Sequence, residues 1–262
     1  EPGGLRIRVL KPLAQSVQVR FEDGVTLDLA HEAEGVWTAV RADAERTMDY
    51  RLAVAWADGI EHVQDDPYRF APTLGEVDLH LVNEGRHELL WTVLGSRLHE
   101  YDGPMGPVKG VAFAVWAPRA KAVRVIGDFN DWDGRIHPMR MLGGSGVWEL
   151  FVPDVGVGNI YKYEIRGADD VVRTKADPMA RRTECPPNTG SVVDASGHEW
   201  GDAQWMEQRA QSNPHTGPMS TYEVHLGSWR QGLSYREMAE HLVNYVKDLG
   251  FTHVELLPVM EH

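Results

Sequence analysis

The stretch Asp128-Phe129-Asn130-Asp131-Trp132-Asp133-Gly134 sets oxygen-bearing side chains at alternate positions, the spacing by which a loop wraps a calcium ion. Its fifth position is Trp132, and its twelfth is Met139 where a bidentate Glu is needed, so the ligands that close such a loop are missing. The twelve histidines offer no His-x-x-x-His pair and Cys185 is the single cysteine, which leaves zinc without a ligand set. Neither a metal nor a cofactor is expected. No Gly-x-Gly-x-x-Gly or Walker sequence occurs, and Gly143-Gly144-Ser145-Gly146 precedes a strand pattern rather than a helix, so it reads as a turn. What remains is aromatic chemistry. Nine tryptophans are more than a core of this size needs, and flat rings are also what sugar-handling proteins stack on pyranose faces. Carbohydrate is the ligand class this surplus favours.

Those residues sit in a chain of 262 residues, 42% hydrophobic and 25% charged, the balance of a folded globular protein of about two domains. Its net charge of −13 opposes the counterion-release attraction on which nucleic-acid and anionic-membrane binding depend, so neither is expected as a partner. A lone cysteine excludes an intrachain disulfide. No apolar run approaches the ~20 residues of a membrane span, and Glu1-Pro2-Gly3-Gly4 lacks the basic-then-apolar profile of a secretion signal. A soluble, cytoplasmic protein is the expectation.

The elements that must position these residues come in a repeat. Ile7–Val19 matches Phe113–Val125, with Pro12 over Pro118, 106 positions apart. Further on, Gly35-Val36-Trp37 matches Gly146-Val147-Trp148, Tyr50-Arg51-Leu52 matches Tyr161-Lys162-Tyr163, and Asp66-Pro67 matches Asp177-Pro178, all 111 apart. The growing offset locates an insertion of about five residues at the Gly127–Gly134 segment of the second copy. Each copy reads as short strands of period-2 alternation between turn signals, which predicts two small β-sandwiches with one buried face per sheet. Trp37 and Trp148 hold equivalent positions and are assigned to the cores. Between the copies, Asn83 to Ser96 reads as a short amphipathic helix stopped at Gly95.

After Asp177 the pattern changes. Trp200 to Gln211 reads as a short helix, Thr221–Leu226 as a strand, Ser234–Leu249 as a helix and Phe251–Leu257 as a second strand. Ser234 with Glu237 forms a capping box, Met238, Leu242, Tyr245 and Leu249 form the apolar stripe, and Gly250 stands at the C-terminal cap. This is a βαβ unit whose two parallel strands have open edges, as at the front of a longer α/β protein.

Three segments carry a family resemblance: Ser220 to Arg230 with its Tyr222-Glu223-Val224-His225-Leu226-Gly227-Ser228-Trp229, then Gly250 to His262, and the run Gly127-Asp128-Phe129-Asn130-Asp131-Trp132. Together they resemble the bacterial 1,4-α-glucan (glycogen) branching enzymes of glycoside hydrolase family 13, in the form with two N-terminal sandwiches. The resemblance implies a mainly β fold: a first Ig-like sandwich over 1–82, a linker over 83–104, and a second sandwich over 105–197 that is a family 48 carbohydrate-binding module. A connector over 198–219 and the start of a (β/α)8 barrel over 220–262 would follow. It also implies the parent activity, a retaining transglycosylation in which a carboxylate attacks the anomeric carbon of an α-1,4 linkage and a 6-hydroxyl of the glucan replaces water, forming an α-1,6 branch. The family's catalytic carboxylates lie after later barrel strands and none of their motifs occurs here, so no catalytic residue is assigned and these 262 residues alone are expected to be inert. The implied partners are α-glucan, as glycogen or malto-oligosaccharide, and the rest of the barrel. Two alternatives stand beside this reading: a stand-alone glycogen-binding protein, and another family 13 enzyme of debranching or trehalohydrolase type.

By the same resemblance Trp132 is a pyranose-stacking ring and Lys162 a hydroxyl donor beside it; the alternative is a Trp folded over the sandwich edge. Glycogen-targeting modules carry another Trp on a late hairpin, whereas Gly167 to Arg173 has none, and the Asn188-Thr189 loop is the first place to look for a substitute. The first copy has Glu22-Asp23-Gly24-Val25 at that turn, and no sugar is expected there. Glu261 and His262, at the catalytic-face end of the second strand, are candidates for a substrate rim, and Glu223 and His225 are assigned to structure.

Overall fold

The computed structural model describes residues 4–43 and 48–259. They form two compact units, Glu1–Ser196 and Gly197–His262. The first half of unit 1 holds β1 (Leu5–Leu10), β2 (Ser16–Phe21), β3 (Thr26–Asp28), β4 (Ala30–Ala33), β5 (Val36–Arg41), β6 (Tyr50–Ala55) and β7 (Glu61–Gln64). These pair antiparallel into two sheets, ordered β1-β5-β4 and β3-β2-β6-β7. Alternation along the strands turns Ile7, Val9, Val17, Val19 and Phe21 inward to meet Trp37, Leu52 and Val54 in one core.

The second half begins with α1 (Glu76–Asn83) and the single turn α2 (Leu90–Val93), and continues through β8 (Gly95–Tyr101), β9 (Val108–Trp116), β10 (Ala122–Gly127), β11 (Arg140–Met141) and β12 (Val147–Pro153). It closes with β13 (Ile160–Arg166), β14 (Val172–Lys175), β15 (Arg182–Thr183) and β16 (Ser191–Val192). One sheet runs β11-β12-β9-β8, the other β10-β13-β16-β15 with β14 against β13. Val111, Phe113 and Val115 of β9 and Trp148, Leu150 and Val152 of β12 face Val123, Val125, Tyr161 and Tyr163 across this core.

The repeat is a repeat of hydrogen bonds. The indole N–H of Trp37 donates to the Lys11 carbonyl at 3.2 Å, and that of Trp148 to the Ala117 carbonyl at 3.1 Å. Lys11 N–H donates to the Gly35 carbonyl and Ala117 N–H to the Gly146 carbonyl, both at 2.8 Å. Gly35 and Gly146 have positive φ, and a Cβ on either would lie 2.7 Å from Pro12 Cα or Pro118 Cα, so each copy needs glycine there twice over. At the far end the Tyr50 hydroxyl donates to Asp66 Oδ2 at 2.7 Å and the Tyr161 hydroxyl to Asp177 Oδ2 at 2.6 Å. Burial pushes the Tyr161 phenol up, which keeps its proton in place for that bond, and pushes the Asp177 carboxyl up as well.

Two features of unit 1 depart from the sequence reading. After Asn83, the last residue of the longer helix Glu76–Asn83, the helical residues up to Ser96 are only the turn Leu90–Val93, and Gly95–Tyr101 is paired with β9 instead of linking. The second departure concerns β12, where Val147 to Val152 are buried without interruption rather than on one face. The cause is the segment between the copies, which covers the outer face of this sheet: Leu74 and Leu94 pack on Ala114 and Val147, and Phe70 on Val108, Ala112 and Phe151. Glu149 lies on the same covered face, completely buried. Its Oε1 accepts from Thr73 N–H at 2.8 Å and from the Thr73 hydroxyl, while Arg140 and Arg97 approach the carboxylate to 3.8 and 4.0 Å.

Unit 2 contains α3 (Ala203–Gln211), β17 (Thr221–Val224), the turn α4 (Leu226–Trp229), α5 (Tyr235–Asp248) and β18 (His253–Leu256). β17 and β18 are parallel, with Thr221 opposite His253 and Val224 opposite Leu256. Ser234 and Glu237 make the reciprocal capping box. The buried stripe of α5 is Met238, Leu242 and Val246 rather than the one ending at Tyr245 and Leu249; Tyr245 flanks it, 5.8 Å from the Tyr222 ring and 5.7 Å from that of Trp229.

Removing a buried carboxylate that two guanidiniums face costs about 3–5 kcal/mol. Glu149→Ala is expected to lower stability by about that much and Glu149→Gln, which keeps the acceptor for Thr73, by less. Urea unfolding of the three proteins checks the order. All four residues of β18 are exposed and, among the described residues, its sheet has two strands, so a chain of residues 1–197 is expected to stay monomeric at concentrations where the 262-residue chain aggregates. Identical solubility and melting of the two would count against this.

Candidate functional site

The loop after β10 carries Trp132. It opens with Gly127, where a Cβ would lie 2.4 Å from the Ile160 carbonyl oxygen and 2.7 Å from the Phe129 ring. A 3-10 turn over Asp128–Asn130 follows, and Asp131 and Trp132 both take left-handed backbone angles, with φ of 52° and 60°. Such a turn costs of order 1 kcal/mol or more per residue unless its surroundings hold it. Here they do. Asn130 is buried, its Oδ1 accepts from Gly127 N–H at 2.9 Å, and its amide nitrogen donates to the Val125 carbonyl at 3.0 Å and to His137 Nδ1 at 2.9 Å. Phe129 stacks on Phe113 of the core with ring centroids 5.5 Å apart.

Trp132 is thereby presented on the surface, 40% exposed. Its N–H donates to the Gly127 carbonyl at 3.1 Å and its indole N–H to Asp128 Oδ1 at 3.3 Å. The other oxygen of Asp128 accepts from Ile160 N–H at 3.0 Å, at the start of β13. Two residues along β13 stands Lys162, opposite Ile126 of β10, and its ammonium donates to the Thr189 hydroxyl at 2.7 Å. Glu184 holds the loop bearing Thr189, accepting from Asn188 Nδ2 at 3.1 Å and from Gly190 N–H at 2.9 Å. An exposed indole, an ammonium, a hydroxyl and an amide thus share one end of the β10-β13-β16 sheet. They supply a flat apolar face beside hydrogen-bond donors and acceptors held in place by their neighbours. Among the described residues no group of three or more His, Cys, Asp or Glu could hold a metal ion.

Two family models match the chain. The model of the alpha-1,4-glucan branching enzyme GlgB N-terminal domain covers residues 1–68, and that of carbohydrate-binding module 48 (isoamylase N-terminal domain) covers residues 94–180. Curated relatives include the 1,4-alpha-glucan branching enzyme GlgB of Rhodococcus jostii, 55% identical over 100% of this chain and 35% of its own length. That of Thermobifida fusca is 57% identical over the same shares. The chain matches 1,4-alpha-glucan branching enzymes along its whole length. It spans about a third of the length of the curated relatives it matches, their N-terminal part. Among solved structures it is similar to a pullulanase from Anoxybacillus sp. LM18-11 crystallised with maltotriose, at 18% identity over 100% of this chain and 38% of that one, with a TM-score of 0.44.

Two of the remaining candidates, Glu223 and His225, belong to unit 2. Glu223 is exposed on β17, opposite Glu255 of β18, and His225 Nδ1 meets the Ser228 hydroxyl at 3.0 Å just before α4. Glu261 and His262 lie outside the described residues. The hairpin that lacks a second Trp shows Val171 and Val172 exposed instead. Sequence reasoning missed the two braces of the loop, Asp128 and the Asn130–His137 pair, because they stand among other polar residues, Asp131, Asp133 and Arg135, with no local signal to set them apart.

His137 yields a pH prediction. Burial, and then the charge of Lys11, push its imidazole down to about 4. Its Nδ1 must stay unprotonated to accept from Asn130. The folded value lies below the unfolded one of about 6.5, so the neutral ring's contribution is complete above pH 6.5 and is lost as pH falls toward 4. Between pH 7 and pH 5 the loss is about 2 kcal/mol from this residue. Urea unfolding at both pH values should therefore show a smaller difference, by about that amount, in His137→Gln than in the parent.

Proposed function

We propose that the chain is the N-terminal part of a cytoplasmic 1,4-α-glucan branching enzyme, and that its second β-module holds α-glucan on the surface formed by Trp132, Lys162 and Thr189. The observation that carries this reading is the bracing of an exposed indole in a left-handed turn by Asp128, on the same sheet end as an ammonium already oriented by a hydroxyl. A ring held this way loses little entropy on stacking against a pyranose. The whole enzyme would cleave α-1,4 links and pass the segment to a 6-hydroxyl by a double displacement at two carboxylates. In that reading β17, α5 and β18 are the first βαβ unit of a (β/α)8 barrel, and the catalytic groups come from its later strands. The second module's role is to keep the polymer near that site. A stand-alone binding protein would have no use for a parallel βαβ unit, which favours the enzyme reading.

Stacking on one ring contributes about 1 kcal/mol beyond area burial, and sugar hydroxyls exchange water for protein at little net gain. Maltoheptaose is therefore expected to bind with a Kd of roughly 1 mM, near −4 kcal/mol. In NMR titration of the 262-residue chain, resonances of Trp132, Lys162 and Thr189 should shift, and Trp132→Ala should abolish the shifts at Lys162 and Thr189, whereas Trp200→Ala in unit 2 should leave them. Persistence of those shifts without Trp132 would place the ligand elsewhere. The same chain is expected to leave the iodine absorbance of amylose unchanged on incubation, and a blue shift would contradict the assignment of catalysis to residues outside it.

A further inference from the structure

At the other end of the same sheet lies an open groove of about 590 Å³. Its floor and walls include Trp116, Pro118, Arg119, Gly167, Asp169 and Arg173. Trp116 ends β9 and is 55% exposed. Asp169 and Arg173 face each other in a two-point pair, at 3.0 and 2.6 Å, while Arg119 is exposed and has no ion pair among the described residues. β10 pairs with β13 from Ala122 opposite Arg166 to Gly127 opposite Tyr161. The groove adjoins the first of these pairs and the Trp132 loop the second, so strand length separates them by about 17 Å at 3.3 Å per residue.

We infer that this groove is a second α-glucan site, centred on Trp116. The inference rests on the reading that this module takes α-glucan, and adds a place to it. A sugar site needs an exposed ring for the apolar face of a pyranose and planar polar groups that reach adjacent hydroxyls with both donors and acceptors. Trp116 provides the first, and Arg119 with the Asp169–Arg173 pair the second. Because Asp169 already neutralises Arg173, Arg119 is the one groove cation without an ion pair among the described residues, short of the cluster that a phosphate group requires, which favours an uncharged polyhydroxyl ligand.

The internal repeat provides the comparison. The first copy has Leu10 and Leu13 where the second has Trp116 and Arg119, so neither the stacking ring nor the guanidinium is present. It also has Trp56 in place of Gly167, and that indole packs on the first core. The second copy therefore differs from its own duplicate at three positions that together create an opening, a ring and a hydrogen-bonding group, while keeping the Trp148 pin behind them.

The test follows the indole N–H resonances of the 262-residue chain during titration with maltoheptaose. The Trp116 signal should shift, and should still shift in Trp132→Ala with an affinity within about twofold of the parent. Gly167→Trp installs the side chain that the first copy carries there, and should weaken the Trp116 response at least fivefold while the Trp132 response persists. Trp116→Ala should leave the Trp132 response intact as well. If the Trp132 signal moves and that of Trp116 does not, the groove is no glucan site and the reading of the module stands. If neither moves, both fail. Shifts of Trp116 with inorganic phosphate but not with maltoheptaose would overturn the inference in favour of an anion site.

Discussion

The hydrogen bond from the Trp148 indole to the Ala117 carbonyl fixes the turn from which both ends of the second module are aligned. Between β9 and β10 the chain must reverse within a few residues while crossing from one sheet to the other. Ala117 is held from both sides, its carbonyl by the indole and its N–H by the Gly146 carbonyl, and Pro118 closes against Gly146 with no room for a side chain. The turn cannot slide. Once it is fixed, β10 enters its sheet with Ala122 opposite Arg166, and the remaining register follows residue by residue until Gly127 lies opposite Tyr161. That last pairing brings Asp128 to the Ile160 N–H and so sets where Trp132 stands. A slip of one position would turn every side chain of β10 to the wrong face.

The same sheet arrangement explains why Glu149 can be buried. A sandwich sheet ordinarily has one solvated face, but here the segment from Phe70 to Leu94 lies over the outer face of β9 and β12. Burying side chains such as Phe70, Leu74 and Leu94 contributes about 2 kcal/mol each. Desolvating Glu149 costs several kcal/mol; Thr73 satisfies its Oε1, while Oε2 has no hydrogen-bond partner and the guanidiniums of Arg97 and Arg140 come no nearer than 4.0 and 3.8 Å, so only part of that cost is offset. The apolar contacts therefore supply the attraction, and the carboxylate supplies position: it accepts only if Thr73 arrives at one place on β12. The two copies are tied together by this covering segment, not by a free linker.

Much of this was legible in the residues themselves. The duplication could be read because the positions that pin each sandwich, Pro12 and Pro118, Trp37 and Trp148, Asp66 and Asp177, are constrained by backbone geometry and do not drift. The capping box at Ser234 could be read for the same reason. What resisted reading depends on contacts distant in sequence. Helix α1 was hidden because its apolar residues Leu79 and Val82 pack on a sheet that the local pattern does not show. The burial of β12 on both faces was hidden because alternation reports one partner, and this strand has two. In α5 the choice of Val246 over Tyr245 turns on which flank of the helix meets β17, and the Tyr222 and Trp229 rings draw Tyr245 to the side. The Trp132 turn was visible as a turn, but Asp128 as its brace depends on β13 arriving beside it.

A weak surface at each end of one rigid sheet has a consequence for the size of ligand that such a module would favour. On the proposed reading each end binds a short oligosaccharide at about millimolar strength, too weak to retain it. A glucan long enough to reach both ends, about 17 Å apart along β10, makes its second contact intramolecularly. The effective concentration for that step is in the millimolar range for a short span, comparable to the Kd itself, so bridging adds up to about tenfold where the polymer is stiff enough to favour the right separation. A polymer also presents many equivalent registers, each capable of the same two contacts. The module would therefore discriminate by chain length rather than by the chemistry of a single residue. On the same proposed reading the net charge of −13 would leave this selection undisturbed, because an uncharged polymer would be neither drawn to the surface nor repelled from it.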